Sequence, residues 1–476
     1  MKNIPLSLTY GDVLIVPKRS SLSSRSQANT KTRLTKKINL NIPVVSSNMD
    51  TVTESEMAIA MARYGGIGFI HRFMTIEENA DEIKRVKRAQ NFIIKDPYTI
   101  SPDIRVGDAK RFAKEKQVKG LVVVDNSGRL LGLATKRDLI FADDFALIKY
   151  VMTPREKLIV GNENTSFDEA KLKIAEHKIE KLPLVDENDA IVGMITAGDI
   201  HKIEEYPLAN TDSKGQLIVG GSIGVKGDYI ERAQELIKAG VDVLVIDIAH
   251  GHSDLMMEAI SKVRNVCGDV QLIAGNVATG AAARDLCEAG VDGIKVGVGP
   301  GTICITRIVT GCGVPQLSAV MEAAEVAKQY DVPIIADGGI QKSGDIVKAI
   351  GAGADTVMLG GLLAGVSESP GTVMIRGDKK YKVCRGSASF AIAQRRKKVD
   401  QENKSLKEVV PEGVESVVAY KGPLEEILGQ LVGGLKSGMS YTNSLTISQL
   451  QKNTEFVQIT QGGMRESGHH DLQDVK

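Results

Sequence analysis

Ala289-Gly-Val-Asp-Gly-Ile-Lys-Val-Gly297 decides how this chain folds. A small-residue turn ending in aspartate leads into a short run, Ile294 to Gly297, that reads as a buried strand breaking into a glycine-rich loop. Variants of the turn stand before two other apolar runs, as Ala239-Gly-Val-Asp242 before Val243–Asp247 and as Ala352-Gly-Ala-Asp355 before Val357–Gly360. Further runs occur at Leu217–Gly221, Leu272–Gly275 and Ile334–Asp337, with helix-patterned segments between, such as Tyr229 to Ala239 and Ser343 to Ala352. Short apolar strands alternating with helices are parallel βα units. Counting the runs at Val44 and Ile67 as the first two gives eight, which predicts an α/β fold, a (β/α)8 TIM barrel. A doubly wound open sheet is the alternative, and the missing Gly-x-Gly-x-x-Gly opening argues against it. At the other end of the chain's first segment, Thr9 to Pro17 is expected to be a short strand ended by proline.

The bulk composition narrows the class. With 60 basic and 59 acidic residues in 476, nothing in the charge balance calls for a nucleic-acid or membrane surface. No apolar run approaches the roughly 20 residues of a membrane helix, and no signal peptide is visible. Five cysteines (Cys267, Cys287, Cys304, Cys312, Cys384) are odd in number and in no metal-ligand spacing, as expected of free thiols in a cytoplasmic protein.

The pattern changes near residue 91. The chain is expected to divide into a barrel part over 1–91, an insertion over 92–206 and the rest of the barrel over 207–476. The insertion contains two similar units of about fifty residues each, divided near 149/150. Val118 to Asp138 and Ile179 to Asp199 each hold a strand, an acidic or Asn/Gly turn, a second strand and a Thr-x-x-Asp that opens a helix. This resembles a tandem pair of CBS domains, a module that commonly binds adenine or guanine nucleotides. Thr135/Asp138 and Thr196/Asp199 match the family's ribose-contacting pair; the plain alternative is that both pairs only cap helices.

In a barrel, the residues after each strand face the catalytic mouth. Here they are Ser47/Asn48/Met49, His71, Gly221/Ser222, Asp247/His250, Asn276, Gly299 to Thr306, Asp337/Gly338/Gly339 and Gly360/Gly361. The two glycine pairs after the seventh and eighth strands suit a phosphate. Cys304 lies on the glycine loop after the sixth, where a thiol is either a nucleophile or a small buried hydrophobe.

Gly297-Val-Gly-Pro-Gly-Thr-Ile-Cys-Ile-Thr-Arg307, Asp247-Ile-Ala-His-Gly-His-Ser253, Ala274-Gly-Asn-Val277, Ala336-Asp-Gly-Gly-Ile340 and Pro411-Glu-Gly-Val-Glu415 together resemble the IMP dehydrogenase/GMP reductase superfamily. The likeness spans essentially the whole chain. It implies that Cys304 attacks purine C2 to form a covalent nucleotide adduct, helped by loop N–H groups that favour the thiolate. It implies proton transfer by Thr306. Thr302, Asp337, Gly338, Gly339, Gly360 and Gly361 would hold the nucleotide, with Ser47, Met49, Ser387 and Glu412. Asp247, Ile248, Ala249, Asn276, Gly297 and Gly299 would lie along the nicotinamide side. Carbonyls of Gly299, Gly301 and Cys304 match a potassium site, completed by Glu466, Ser467 and Gly468 of a neighbouring subunit in a homotetramer or an octamer.

The branch is read from the flap, about residues 384–412. The dehydrogenase branch hydrolyses its adduct with an Arg-Tyr pair there; this flap has no tyrosine, and Lys398, Val399 and Asp400 stand where the pair is expected. Glu412 aligns with the catalytic glutamate of the reductase branch. Ser47-Asn-Met-Asp-Thr-Val52 and Leu359-Gly-Gly-Leu-Leu-Ala-Gly365 lean the same way. Against it, the reductase's arginine three residues before the glutamate is Val409 here, and the helix after Pro423 and the Arg465-Glu-Ser-Gly-His-His-Asp471 tail look like bacterial dehydrogenases. The resemblance therefore implies a GMP reductase using NADPH. The alternatives are an IMP dehydrogenase using NAD and a nucleotide-sensing protein whose CBS pair is the working part.

Overall fold

A computed structural model of the chain describes residues 4–90, 92–116, 118–392, 394 and 410–468. It contains two compact units, one of Met1–Ala89, Leu208–Asp212 and Leu217–Lys476, the other of Gln90–Pro207 with Ser213–Gln216.

The first unit is a closed barrel of eight parallel strands: β1 (Val44–Ser46), β2 (Ile67–Ile70), β3 (Gly220–Ile223), β4 (Val243–Asp247), β5 (Gln271–Val277), β6 (Gly293–Val296), β7 (Ile334–Asp337) and β8 (Thr356–Leu359). They pair in chain order, and β8 closes on β1 with Met358 opposite Val45. Side chains alternate along each strand, so every second residue points into the barrel. Val45, Ile67, Phe69, Val243, Val245, Ile273, Ile335 and Met358 form one buried cluster there. Leu34, just after the strand Thr32–Arg33, and Leu40, in the strand Asn39–Leu40, join it and plug the N-terminal end. Phe69 lies so close to Gly220 that a Cβ there would come within 2.4 Å of its ring. Truncating Phe69 to alanine would cost about 3–5 kcal/mol.

The recurring Ala-Gly-x-Asp turn has a structural reason. Asp242, Asp292 and Asp355 each sit just before a strand and bond the strand that precedes it. Their carboxylates accept the backbone N–H groups of Val219, Leu272 and Ile334 at 2.8, 2.8 and 2.9 Å. Their own N–H groups donate to the carbonyls of the same three residues. Each aspartate thus continues the ladder one residue beyond the strand, where a plain loop would leave two polar groups unpaired.

Two readings of the sequence shift in the structure. The third strand begins at Gly220, not Leu217, because Val219 N–H is taken by Asp242 and Ile218 packs into the barrel interior. Only Val13–Ile15 of Thr9 to Pro17 is strand, paired with Phe456–Gln458. A capping box between Thr9 and Asp12 winds Tyr10–Asp12 into a 3-10 turn instead.

In the second unit the two hairpins are near copies. Gly120 pairs with Thr135 and Lys181 with Thr196 at the open ends, and both ladders shift register near the turn. In each turn an aspartate folds the chain. Asp125 accepts from the N–H groups of Ser127 and Arg129, and Asp186 from those of Asn188 and Ala190. The turn tips also meet, through Leu130 N–H on the Asp189 carbonyl at 2.9 Å and Ile191 N–H on Gly128 at 3.2 Å. Thr135 and Thr196 hydroxyls bond Asp138 and Asp199 at 2.7 and 2.6 Å, so both pairs cap the helices Lys136–Ile140 and Ala197–Glu205.

Candidate active site

The C-terminal ends of the strands open into a cleft of about 270 Å³. Its floor is polar although the barrel below is apolar. Lys295 of β6, only 2% exposed, sits 2.6 Å from Asp247 at the end of β4 and 2.6 Å from Asp337 at the end of β7. Its ammonium also donates to the Asn276 side chain. The Asn276 amide in turn donates to Asp337 at 3.0 Å and to the Gly297 carbonyl at 2.7 Å. On the far side Asn48 donates to Asp247 and to Ser222, each at 3.0 Å. Burial would push Asp247 up, but the Lys295 charge and these hydrogen bonds hold it below the usual carboxylate range. Burial likewise would lower Lys295, and the two carboxylates raise it above the usual lysine value.

The thiol loop leaves β6 through Gly297, whose φ is +151°. A Cβ there would lie 2.0 Å from the Asp337 carbonyl, so only glycine passes. Gln316 straps the two strand ends together, donating to the Val296 carbonyl at 2.8 Å and that of Asp337 at 3.2 Å. Arg307 braces the loop from behind, on the carbonyls of Val298 (3.2 Å) and Val314 (2.5 Å). The loop therefore presents Cys304 on a fixed backbone.

Cys304 is half-buried, and its thiol donates to the Thr306 hydroxyl at 3.2 Å. Thr306 donates onward to the Glu412 carboxylate at 2.7 Å. Glu412 is held by main-chain bonds: Ile305 N–H reaches its carbonyl at 2.8 Å, its own N–H reaches Ala388, and Val414 N–H reaches Ile303. The segment carrying Glu412 is thus zipped onto the thiol loop over residues far apart in sequence. The other cysteines differ. Cys267, Cys287 and Cys384 are buried, and burial pushes Cys287 and Cys384 each up to about 11.

The cleft gathers most of the residues singled out in the sequence. Ser47, Met49, Thr302, Asp337, Gly338, Gly339, Gly360, Gly361, Ser387 and Glu412 line it, together with Asp247, Ile248, Ala249, Asn276, Gly297, Gly299, Gly301, Cys304 and Thr306. Asn276 lies at a register shift inside β5, between Gly275 and Val277, and not beyond the strand. Glu466, Ser467 and Gly468 are elsewhere, on the exposed end of the helix Gln461–Glu466. His71 does not line the cleft. It is buried, accepting from Phe73 N–H and bonding Glu54 at 3.2 Å. Lys398, Val399, Asp400 and Val409 lie outside the described residues. Among the described residues no group of three or more His, Cys, Asp or Glu side chains forms a metal cage, and no helix is long and apolar enough to cross a membrane.

Three contributors were missed. Lys295 and Arg72 both line the cleft. The signal for Lys295 was present, since a lysine in a four-residue barrel strand is rarely buried without a partner. Arg385 is the third, bonding Asp50 at 2.6 Å and Glu415 at 2.9 Å, with its N–H on the Thr51 hydroxyl. It ties Cys384–Ser387 to the loop after β1.

Fold and site define a (β/α)8-barrel enzyme with a cysteine held at the mouth beside a carboxylate-lined cleft. The chain belongs to the IMP dehydrogenase / GMP reductase domain family, whose model matches residues 7–470. It is 49% identical over 469 residues to the inosine-5'-monophosphate dehydrogenase of Nitrosopumilus maritimus (strain SCM1), covering 98% of each chain. It is also 49% identical over 485 residues to the GMP reductase of Leishmania donovani, covering 99% of this chain and 98% of that one. A crystal structure of a Trypanosoma brucei GMP reductase variant in complex with guanosine 5'-monophosphate superposes with a TM-score of 0.93, at 46% identity and 99% coverage of both chains.

Proposed function

We propose that this enzyme is a purine nucleotide oxidoreductase acting at purine C2, and that it is a GMP reductase, converting GMP and NADPH to IMP, ammonia and NADP. The hydrogen-bonded series Cys304–Thr306–Glu412 carries the reading. Cys304 Sγ attacks C2 of GMP. Glu412, acting through the Thr306 hydroxyl, moves the proton that lets the 2-amino group leave as ammonia. The C2–S bond then breaks as hydride reaches C2, and the thiol is restored. NADPH supplies that hydride when bound. The chain's part is to orient it along Asp247, Ile248, Ala249, Asn276, Gly297 and Gly299, and to keep water from the adduct. Between Cys384 and Glu412 the sequence holds no tyrosine, so the dehydrogenase branch's arginine–tyrosine pair for activating water is absent.

The purine nucleotide sits between Thr302, Gly338, Gly339, Gly360 and Gly361 at its phosphate end and Asp337 at its ribose, with Ser47, Met49 and Ser387 completing the pocket. Backbone carbonyls suit a hard monovalent cation. Those of Gly299, Gly301 and Cys304 would take potassium, with Glu466, Ser467 and Gly468 supplied by a neighbouring subunit of a homotetramer or an octamer. The second unit is a tandem CBS module binding an adenine or guanine nucleotide at Thr135/Asp138 and Thr196/Asp199. The enzyme is cytoplasmic, with no nucleic-acid or membrane partner.

The 49% identity to an inosine-5'-monophosphate dehydrogenase favours a second reading, oxidation of IMP by NAD to XMP. One experiment separates them. The purified protein is given GMP with NADPH, and IMP with NAD, each with potassium, and nicotinamide absorbance is followed. Loss of NADPH with formation of IMP is expected; XMP formation at an ordinary enzymatic rate would overturn the reductase assignment.

A further inference from the structure

Lys295 is the one charged side chain of β6, and the residue paired beside it in β7 is the apolar Ile335 of the buried barrel cluster. Burying an ammonium there is costly, and a methionine would fill the space more cheaply if packing were the only need. The three donors of the ammonium are fully used, on Asp247, Asp337 and Asn276. The two carboxylates come from β4 and β7, neither of them followed directly by the other around the barrel. Through contacts of 2.6 Å to each, one cation sets the position of both. Under the proposed function, on which this inference rests, Asp337 meets the nucleotide ribose and Asp247 the nicotinamide side.

We infer that Lys295 is a positioning residue that couples the two halves of the cleft. It holds both carboxylates aimed, so that the nucleotide and the nicotinamide are presented to each other in one register. Without it the carboxylates repel one another across the site, and each is free to turn away from its ligand. A change on either side should therefore be felt on the other, since residues sharing one charged partner do not act additively.

Full-length Lys295→Met, Lys295→Arg and Asp247→Asn test this, with GMP binding measured calorimetrically in the absence of nicotinamide and KM and kcat measured for both substrates. Lys295→Met should weaken GMP binding by at least about tenfold and raise both KM values, because it removes hydrogen bonds to charged groups. Lys295→Arg, which keeps the charge, should recover most of that loss. Asp247→Asn should weaken GMP binding by about threefold or more, although Asp247 belongs to the nicotinamide side. A folded Lys295→Met with both KM values and the GMP affinity within about twofold of wild type would overturn the inference. If that variant does not fold, an unchanged GMP affinity in Asp247→Asn overturns it alone. A wild-type protein that binds neither GMP nor IMP would instead sink the functional reading and this inference with it, a result distinct from normal wild-type binding with unaffected variants.

Discussion

One aspartate stands just before strand β4 and another ends it, and the two have opposite fates. Asp242, at the N-terminal rim, gives its carboxylate to Val219 N–H and to Lys87 at 2.6 Å. Burial nevertheless pushes it above the usual carboxylate range. Asp247, at the mouth, is held below that range by Lys295 and keeps a place on the cleft wall. The rim aspartates Asp242, Asp292 and Asp355 are consumed in continuing backbone ladders. The mouth aspartates Asp247 and Asp337 are held by side chains alone, which leaves them facing the cleft. The same residue thus serves stability at one end of a barrel and chemistry at the other. What separates the two uses is the partner: backbone N–H groups take the carboxylates at the rim, and side chains alone hold them at the mouth.

The comparison is tested most severely at the mouth. Cys304→Ala should lower kcat by about 10⁴-fold or more without moving Tm, and loss of iodoacetamide protection by GMP would accompany it. Turnover that persists would remove the thiol from its role. Glu412→Gln keeps the hydrogen bond from Thr306 but not the base, so kcat should fall by about 10²–10⁴-fold, with little change in the denaturation midpoint.

The rim should answer in the other currency. Asp292→Ala strands Leu272 N–H, bonded at 2.8 Å, and breaks the ion pair with Arg264 at 2.6 Å. A loss of about 3 kcal/mol in urea unfolding is expected, with kcat/KM of the folded fraction within about twofold of wild type. A large fall in kcat/KM would erase the distinction between the two ends. The gentlest test is pH. Burial raises Asp355 from its ordinary 3.8 to about 6, against smaller lowering contributions from Ile334 N–H and Arg33. A folded carboxylate with a raised pKa binds its proton more tightly than the unfolded chain does. Stability is therefore lost as pH climbs between those two values, and the deficit is complete above about 6. Asp355→Asn keeps an acceptor for Ile334 N–H and has no charge to bury. Its stability relative to wild type should rise across that window and then level off, by about 3 kcal/mol at neutral pH. A flat difference would show that Asp355 titrates normally.

Much of the site was legible because glycine patterns and strand ends are local. The runs ending at Ser46, Gly297, Asp337 and Gly360 announced where the mouth residues lie, and the loop to Cys304 followed directly. Lys295 was read only as one residue of a buried strand. Its meaning depends on Asp247 and Asp337, which arrive from strands far along the chain. Arg385 was missed for the same reason, since its partner Asp50 lies on the loop after β1.

The order of elements, the barrel and the chemistry available to it follow from the chain itself, since strand length, turn residues and the thiol loop are properties of neighbours in sequence. That Ala-Gly-x-Asp marks the start of a strand is likewise a local pattern. Why the aspartate must be there is not, because the N–H it bonds belongs to the preceding strand. Only closure of the barrel brings Glu412 to within 2.7 Å of Thr306 and puts one ammonium between two carboxylates. Hydrogen bonds and charges act over a few ångströms, so the contacts that tune the site exist only after segments separated by tens to hundreds of residues have been packed side by side.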